Sequence, residues 1–199
     1  MANSWQLKQK TMMTKKQYWY EALVGGTIVG VVSVAFSIVL QLLGGSTDEP
    51  TLLTKVINFL SVFVTIVLLF GFTRRFAAQH TAEEGFSMGR AVGFVVSVML
   101  FAGVISGVYS SVMANYFIKD EILASVDQVM AQMQDLYTAD QFDNLYATMQ
   151  KAVINPLYLT ISSVISNCFT GLLIGVLVGF LTRRRPDIFA DTNNNANVE

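Results

Sequence analysis

The sequence predicts an all-α, integral membrane four-helix bundle with an amphipathic helical hairpin inserted between transmembrane helices 3 and 4. Three observations support this fold class. Charged residues make up only 14% of the 199 residues, whereas soluble domains carry about 25%. Four uncharged segments are each long enough to cross about 30 Å of hydrocarbon. Lysines and arginines cluster at one end of these segments, as they do on the cytoplasmic side of membrane proteins.

The four segments predict transmembrane helices at about residues 20–43, 53–73, 88–118 and 152–182. The first follows a lysine-rich start, but its apolar run of about 20 residues is longer than a signal peptide's, so we expect it to be retained. The second lacks a pattern of small residues, which indicates a place at the periphery of the bundle. The third and fourth exceed the hydrocarbon thickness and should tilt or continue as helix into water.

The basic residues orient the bundle. Ten lysines and arginines fall in the N-terminal tail, the second loop and the C-terminal end, against three on the opposite side. This bias predicts that both termini are cytoplasmic. The arginines that follow helices two and four are predicted topology anchors and possible contacts for anionic lipid head groups: Arg74, Arg75, Arg183, Arg184 and Arg185.

Two of these arginine clusters end similar stretches, "LLFGFTRRF" (68–76) and "LVGFLTRRR" (177–185). They align only with a one-residue shift, and the segments before them share little beyond apolarity. We interpret them as convergent exits from the membrane, in which Gly and Phe lie near the lipid boundary and arginines lie in the cytoplasm. On this interpretation the repeat fixes the direction of two helices and implies no active site.

The segment of about 119–151 is predicted to be an extracytoplasmic helical insert. It contains no glycine, and six acidic residues outnumber its two lysines. Thr138 and Gln141 have the spacing of a capping box, and Asn155-Pro156 predicts a break before the fourth helix. Two apolar stripes have helical spacing: Ile122, Val126, Val129, Met133 and Leu136, then Phe142, Leu145, Tyr146 and Met149. We expect residues 1–185 to form one domain and 186–199 a polar, disordered tail.

Small residues recur four apart along three of the helices. This spacing stacks them on one face and lets helix backbones approach closely, which matters where lipid removes the hydrophobic drive for association. Packing within one bundle is the favoured explanation, and a homo-oligomer interface is the alternative. The predicted packing positions are Gly26, Gly30, Gly89, Gly93, Gly103, Gly107, Gly171, Gly175 and Gly179.

No residue pattern predicts catalysis, a cofactor or a metal. His80, Glu83 and Glu84 could share a helical face, but the chain has one imidazole, so a solvated loop is favoured. Cys168 is expected to be a small packing residue. Asn167 is expected to bond a neighbouring helix, with the lining of a pore as the alternative. A net charge of −1 provides no basic field for nucleic acid.

The run "GFSMGRAVGFVVSVMLFAGVISGVYSSVMANYFIKDEI" (85–122), followed by a methionine-containing helical segment, resembles a bacterial family described as domain of unknown function 4199. The resemblance extends over about residues 18–185. A proline that is common after the third helix in such proteins is missing here, where Ile118 to Glu121 stand. The resemblance implies a protein of the bacterial inner membrane and assigns no activity or catalytic residue.

For function, these observations predict a non-enzymatic structural protein, or one that interacts with protein or lipid through its extracytoplasmic insert. Its expected partners are the lipid bilayer, a second copy, or a membrane or periplasmic protein. The alternative is a small oligomeric pore or transporter subunit. A membrane enzyme has the least support, because no His–carboxylate pair or acidic cluster meets the membrane face.

Overall fold

The computed structural model describes residues 2–43, 52–79 and 86–183, and the side chains of these residues except 2–14 and 135. The chain has an all-α fold. Its helices are α1 (Ala2–Leu42), α2 (Leu52–Ala78), α3 (Met88–Tyr116), α4 (Lys119–Met133), α5 (Ala139–Ile154) and α6 (Pro156–Thr182), with one 3₁₀ turn at Gln134–Leu136.

Four helices are long and apolar enough to cross a membrane: Lys15–Leu42, Leu52–Ala78, Met88–Tyr116 and Pro156–Thr182. These are the four segments predicted from the sequence, although their ends differ. Helix α1 begins at Ala2 instead of near residue 20, and α2 continues five residues past 73. Both extensions contain basic residues, which end the uncharged run but do not end the helix.

Helix α3 is the centre of the bundle and α2 lies at its periphery. In the most apolar stretch of each helix, 44% of the residues are buried in α3 and 11% in α2. Helix α3 packs along both α6 and α1, whereas α2 contacts mainly α1. The peripheral position of α2 agrees with the prediction made from its lack of small residues spaced four apart.

We call the end of the bundle where α2 and α6 finish the arginine end. Aromatic rings from α1, α2 and α3 pack against one another there. The rings of Phe76 (α2) and Phe94 (α3) stack with centroids 4.4 Å apart, and Tyr18 (α1) meets both edge-on. The Tyr18 hydroxyl also lies 2.8 Å from Ser97 Oγ. Edge-on and stacked ring pairs add stability beyond the area they bury, so this end of the bundle is firmly packed.

At the opposite end α4 and α5 pack against each other and form the helical hairpin. Thr138 and Gln141 form the predicted capping box at the start of α5, and Tyr146 of α5 donates a 2.6 Å hydrogen bond to Asp127 of α4. The buried residues of α4 are Val126 and Met130, whereas the predicted Val129 is 45% exposed. Val126 and Met130 are four residues apart and lie on one face of the helix. The buried face of α4 therefore runs through Met130 and not through the predicted Val129.

The predicted break before the last helix is confirmed at Asn155. Its backbone is extended (φ −72°, ψ 116°), and Pro156 occupies the first turn of α6, where a missing N–H costs nothing. The Asn155 side chain accepts hydrogen bonds from the backbone amides of Leu157 (2.9 Å) and Tyr158 (3.3 Å). One residue therefore both ends α5 and caps α6.

Candidate functional site

The two similar stretches of the sequence meet at the arginine end of the bundle. They line one groove with a volume of about 290 Å³. Helices α2 and α6 are separated by about a hundred residues in the chain, so only the three-dimensional packing brings the stretches together. The interpretation as separate exits missed this contact. The lining residues of this arginine groove are Phe70, Arg74 and Ala77 of α2, and Leu181, Thr182 and Arg183 of α6.

The arginines of the two stretches have different surroundings. Arg75 points to α1, where Glu21 lies 3.9 Å away with its side chain only 13% exposed. Gln79 also donates a 3.2 Å hydrogen bond to Glu21. Arg74 and Arg183 are exposed, and no carboxylate of the described residues pairs with either. Within the described residues, the groove therefore carries two cations without an ion-pair partner. The predicted anchors Arg184 and Arg185 lie outside the described residues.

Each stretch also buries its threonine. Thr182 is held by a hydrogen bond from its Oγ1 to the carbonyl oxygen of Val178 (2.8 Å) in the preceding turn. Thr73 is fully buried, and its Oγ1 has no hydrogen-bond partner within the described part of the chain. A buried hydroxyl without a partner costs about 1–3 kcal/mol. The buried hydroxyl of Thr73 therefore lowers the stability of the packing around α2. No pattern in the sequence predicted this.

Glycines of α3 and α6 bring these two helices into close contact, in what we call the α3–α6 seam. A Cβ built on Gly107 would stand 2.7 Å from the Cα of Thr160, and one on Gly103 would stand 2.9 Å from the Cα of Val164. From the other side, a Cβ on Gly171 would stand 2.8 Å from the Cβ of Met99. Real Cβ atoms essentially never approach so closely, so any larger residue at these positions would force a neighbour to shift. Gly175 and Gly179 lie along the same seam, where a built Cβ would stand 3.3 and 3.2 Å from its nearest neighbour.

Helix α1 uses its two predicted glycines against the other side of α3. A Cβ on Gly26 would stand 2.5 Å from the Cβ of Phe101, and one on Gly30 would stand 3.0 Å from the Cβ of Ile105. Gly89 and Gly93 differ from the expectation. Nothing lies within 4 Å of a Cβ on Gly89, and Gly93 meets only the Tyr18 hydroxyl at 4.0 Å. Both are exposed. They lie on a different face of the first two turns of α3 from Met88, Ala91 and Val92, which α6 approaches closely.

Polar residues continue the seam at the hairpin end. Ser111 Oγ lies within hydrogen-bonding distance of the carbonyl oxygens of Gly107 (2.8 Å) and Pro156 (3.0 Å). Asn115 donates a 3.0 Å hydrogen bond to the carbonyl oxygen of Ile154, at the end of α5. Sequence reasoning missed these bonds, although a signal was present. Gly103, Gly107, Ser111 and Asn115 follow one i, i+4 row.

The other sequence candidates show no catalytic arrangement. Asn167 Nδ2 donates to the carbonyl oxygen of Ser163 in its own helix (2.9 Å), not to a neighbouring helix as expected. Cys168 is a free, half-buried thiol. Among the described residues there is no group of three or more His, Cys, Asp or Glu that could hold a metal. His80, Glu83 and Glu84 lie outside these residues.

Comparison with known proteins identifies a family but no characterised relative. The family model described as "Protein of unknown function (DUF4199)" matches residues 25–184, about four fifths of the chain. This match confirms the resemblance that the sequence predicted over residues 18–185. No curated protein and no solved structure matches the chain.

Proposed function

The chain belongs to the DUF4199 family of proteins of unknown function, and we propose that it is a non-enzymatic, multi-pass protein of the bacterial inner membrane. In this proposal α1, α2, α3 and α6 span the membrane, with both termini in the cytoplasm. The helical hairpin stands outside the cytoplasm and is the element that contacts a membrane or periplasmic protein. The excess of lysine and arginine at the opposite end supports this orientation.

The observation that best supports an interaction role is the short attachment of the hairpin to α3 and α6. Only Phe117 and Ile118 separate α3 from α4, and both of their amides bond the carbonyl oxygen of Met113. The other leg passes from α5 to α6 through Asn155 alone. Both legs therefore begin directly at the ends of α3 and α6, which supports an orientation of the hairpin set by these two helices.

The tip of the hairpin presents apolar side chains on this support. Leu136 is 74% exposed and Tyr137 is also exposed, at the turn between α4 and α5. Exposed apolar residues at a preorganised position are suited to contact with a protein, because little conformational freedom is lost on binding. We therefore place the protein contact at the tip and not along the buried stripe.

Site-specific photocrosslinking tests the proposal. A photoreactive residue at Leu136 should give a discrete adduct with a membrane or periplasmic protein in living cells. The same residue at Thr148, which is exposed on α5, serves as the matched control and should not give this adduct. Equal adducts from both positions, or a lipid adduct alone from Leu136, would refute a protein contact at the tip.

Cysteine labelling tests the orientation independently. In a Cys168→Ser background, Leu136→Cys should react with a membrane-impermeant thiol reagent added to intact spheroplasts. Ala78→Cys, which is exposed at the arginine end, should react only after the membrane is opened. The reverse pattern would place the hairpin in the cytoplasm and overturn the proposed topology.

A further inference from the structure

We propose that the arginine groove binds the phosphodiester of an anionic phospholipid, with Arg74 and Arg183 as its ligands. This inference rests on the membrane-spanning part of the proposed function and is independent of the hairpin. It assigns a role to the two similar stretches of the sequence, which line one groove. A protein contact at the hairpin, at the opposite end of the bundle, does not explain why they meet.

The charge of the arginine groove suits an anionic ligand. The groove carries a guanidinium from each helix, and neither is neutralised by a carboxylate of the described residues. Guanidinium groups bind phosphate oxygens through two parallel N–H bonds, which gives geometry as well as attraction. The carbonyl ends of α2 and α6 bear partial negative charge, so the two side chains and not the backbone must supply the attraction for an anion.

The arginine groove lies at the ends of two membrane-length helices. Both helices end beside the groove, at Ala78 and Thr182, which is the depth of lipid head groups in a membrane-spanning bundle. Basic pockets between transmembrane helices on the cytoplasmic side are a recurring form of lipid site. A lipid phosphate can therefore reach the arginines without leaving its leaflet.

The apolar lining distinguishes a lipid from free phosphate. Phe70 lies one helical turn before Arg74, on the side of the groove towards the membrane interior, and Leu181 is 70% exposed beside Arg183. Acyl chains attached to the bound phosphate would cover these side chains. Inorganic phosphate would leave them exposed. The groove thus combines two arginines with apolar side chains, which suits a ligand that has both a charged and an apolar part.

Lipid titration of the full-length protein in detergent, read by native mass spectrometry, tests the site. Dioleoylphosphatidylglycerol should bind the wild type more tightly than dioleoylphosphatidylcholine. Arg74→Gln and Arg183→Gln should each weaken phosphatidylglycerol binding about fivefold, and the double variant about 30-fold, since each basic group near a head group contributes about 1 kcal/mol. Arg75→Gln is the matched control, because it removes the same charge from the neighbouring position that faces Glu21, and its effect should be much smaller.

Each of four results would overturn the assignment. Equal losses from Arg75→Gln and Arg74→Gln would show a response to net charge only. Wild-type binding by the double variant would exclude the groove. Competition by inorganic phosphate as strong as that by phosphatidylglycerol would identify a free anion as the ligand. The phosphate and phosphatidylcholine comparisons use the wild-type protein, so they decide the matter even if the double variant fails to fold. Normal hairpin crosslinking with failed lipid binding would refute this inference alone.

Discussion

Gly107 of α3 and Thr160 of α6 lie so close that a Cβ on the glycine would stand 2.7 Å from the Thr160 Cα. The same threonine places its Oγ1 3.3 Å from Ser111 Oγ, one turn further along α3. Close backbone approach and polar contact therefore occur together at this crossing. They join the centre of the bundle to the base of the hairpin.

This contact predicts the effect of Gly107→Ala. The neighbouring atom belongs to the backbone, so a helix must shift to admit the methyl group. Overpacking of this kind costs about 1–3 kcal/mol, against a gain of about 1 kcal/mol in helix propensity. We expect a net loss of stability of up to about 2 kcal/mol, measured by reversible unfolding in detergent. Gly71→Ala is the matched control, since nothing lies within 4 Å of its Cβ position. It should be neutral or stabilising, and equal stability of the two variants would contradict the assigned packing.

Thr73→Val should stabilise the protein. Valine has nearly the same shape and removes the buried hydroxyl that has no partner among the described residues. The expected gain in the free energy of unfolding is about 1–3 kcal/mol. Thr182→Val is the control from the other stretch, where the hydroxyl already bonds the carbonyl oxygen of Val178. A larger gain at position 182 than at 73 would contradict the difference between the two sites.

The hairpin should respond to alkaline pH through Tyr146. Its hydrogen bond to Asp127 is the main cause that raises the pKa of the Tyr146 phenol above its ordinary value near 10, followed by desolvation and by the charge of Asp127. Because the pKa is raised in the folded state, this bond contributes stability below the ordinary pKa, and the contribution is lost as the pH rises through the folded-state pKa. Ultraviolet titration, with Tyr146→Phe subtracted, should show a raised tyrosine pKa that Asp127→Asn returns towards the ordinary value. An unshifted wild-type titration would exclude the bond in solution.

Asn155→Ala should lower the free energy of unfolding by about 1 kcal/mol, the usual cost of losing an N-cap. The substitution removes the acceptor of the Leu157 and Tyr158 amides at the start of α6. Asn144→Ala is a suitable comparison, since its exposed amide bonds only the carbonyl oxygen of Asp140 in its own helix. Its effect should stay within about 0.5 kcal/mol. If both variants lost the same stability, the cap would have no special role.

Local patterns in the sequence predicted the local structure well. Uncharged length identified the four long helices, the Thr138–Gln141 spacing predicted a capping box, and Asn155-Pro156 predicted a break. Each of these features depends on residues a few positions apart. The sequence did not predict that Arg74 and Arg183 share a groove, because that contact depends on how α2 leans on α6. Nor did it predict that Met130 is buried in place of Val129, since the approach of α5 decides which row of α4 is covered.

The short connections at the base of the hairpin have a mechanical consequence. Two residues connect α3 to α4, and one residue connects α5 to α6. Such short connections leave the hairpin little freedom to move relative to α3 and α6. A sideways force on its tip is therefore transmitted as a scissoring of these two helices against each other. The glycines resist that scissoring, because their neighbours already touch. The hairpin and the seam are thus coupled by geometry, and a load on the tip would be felt at the crossing of α3 and α6.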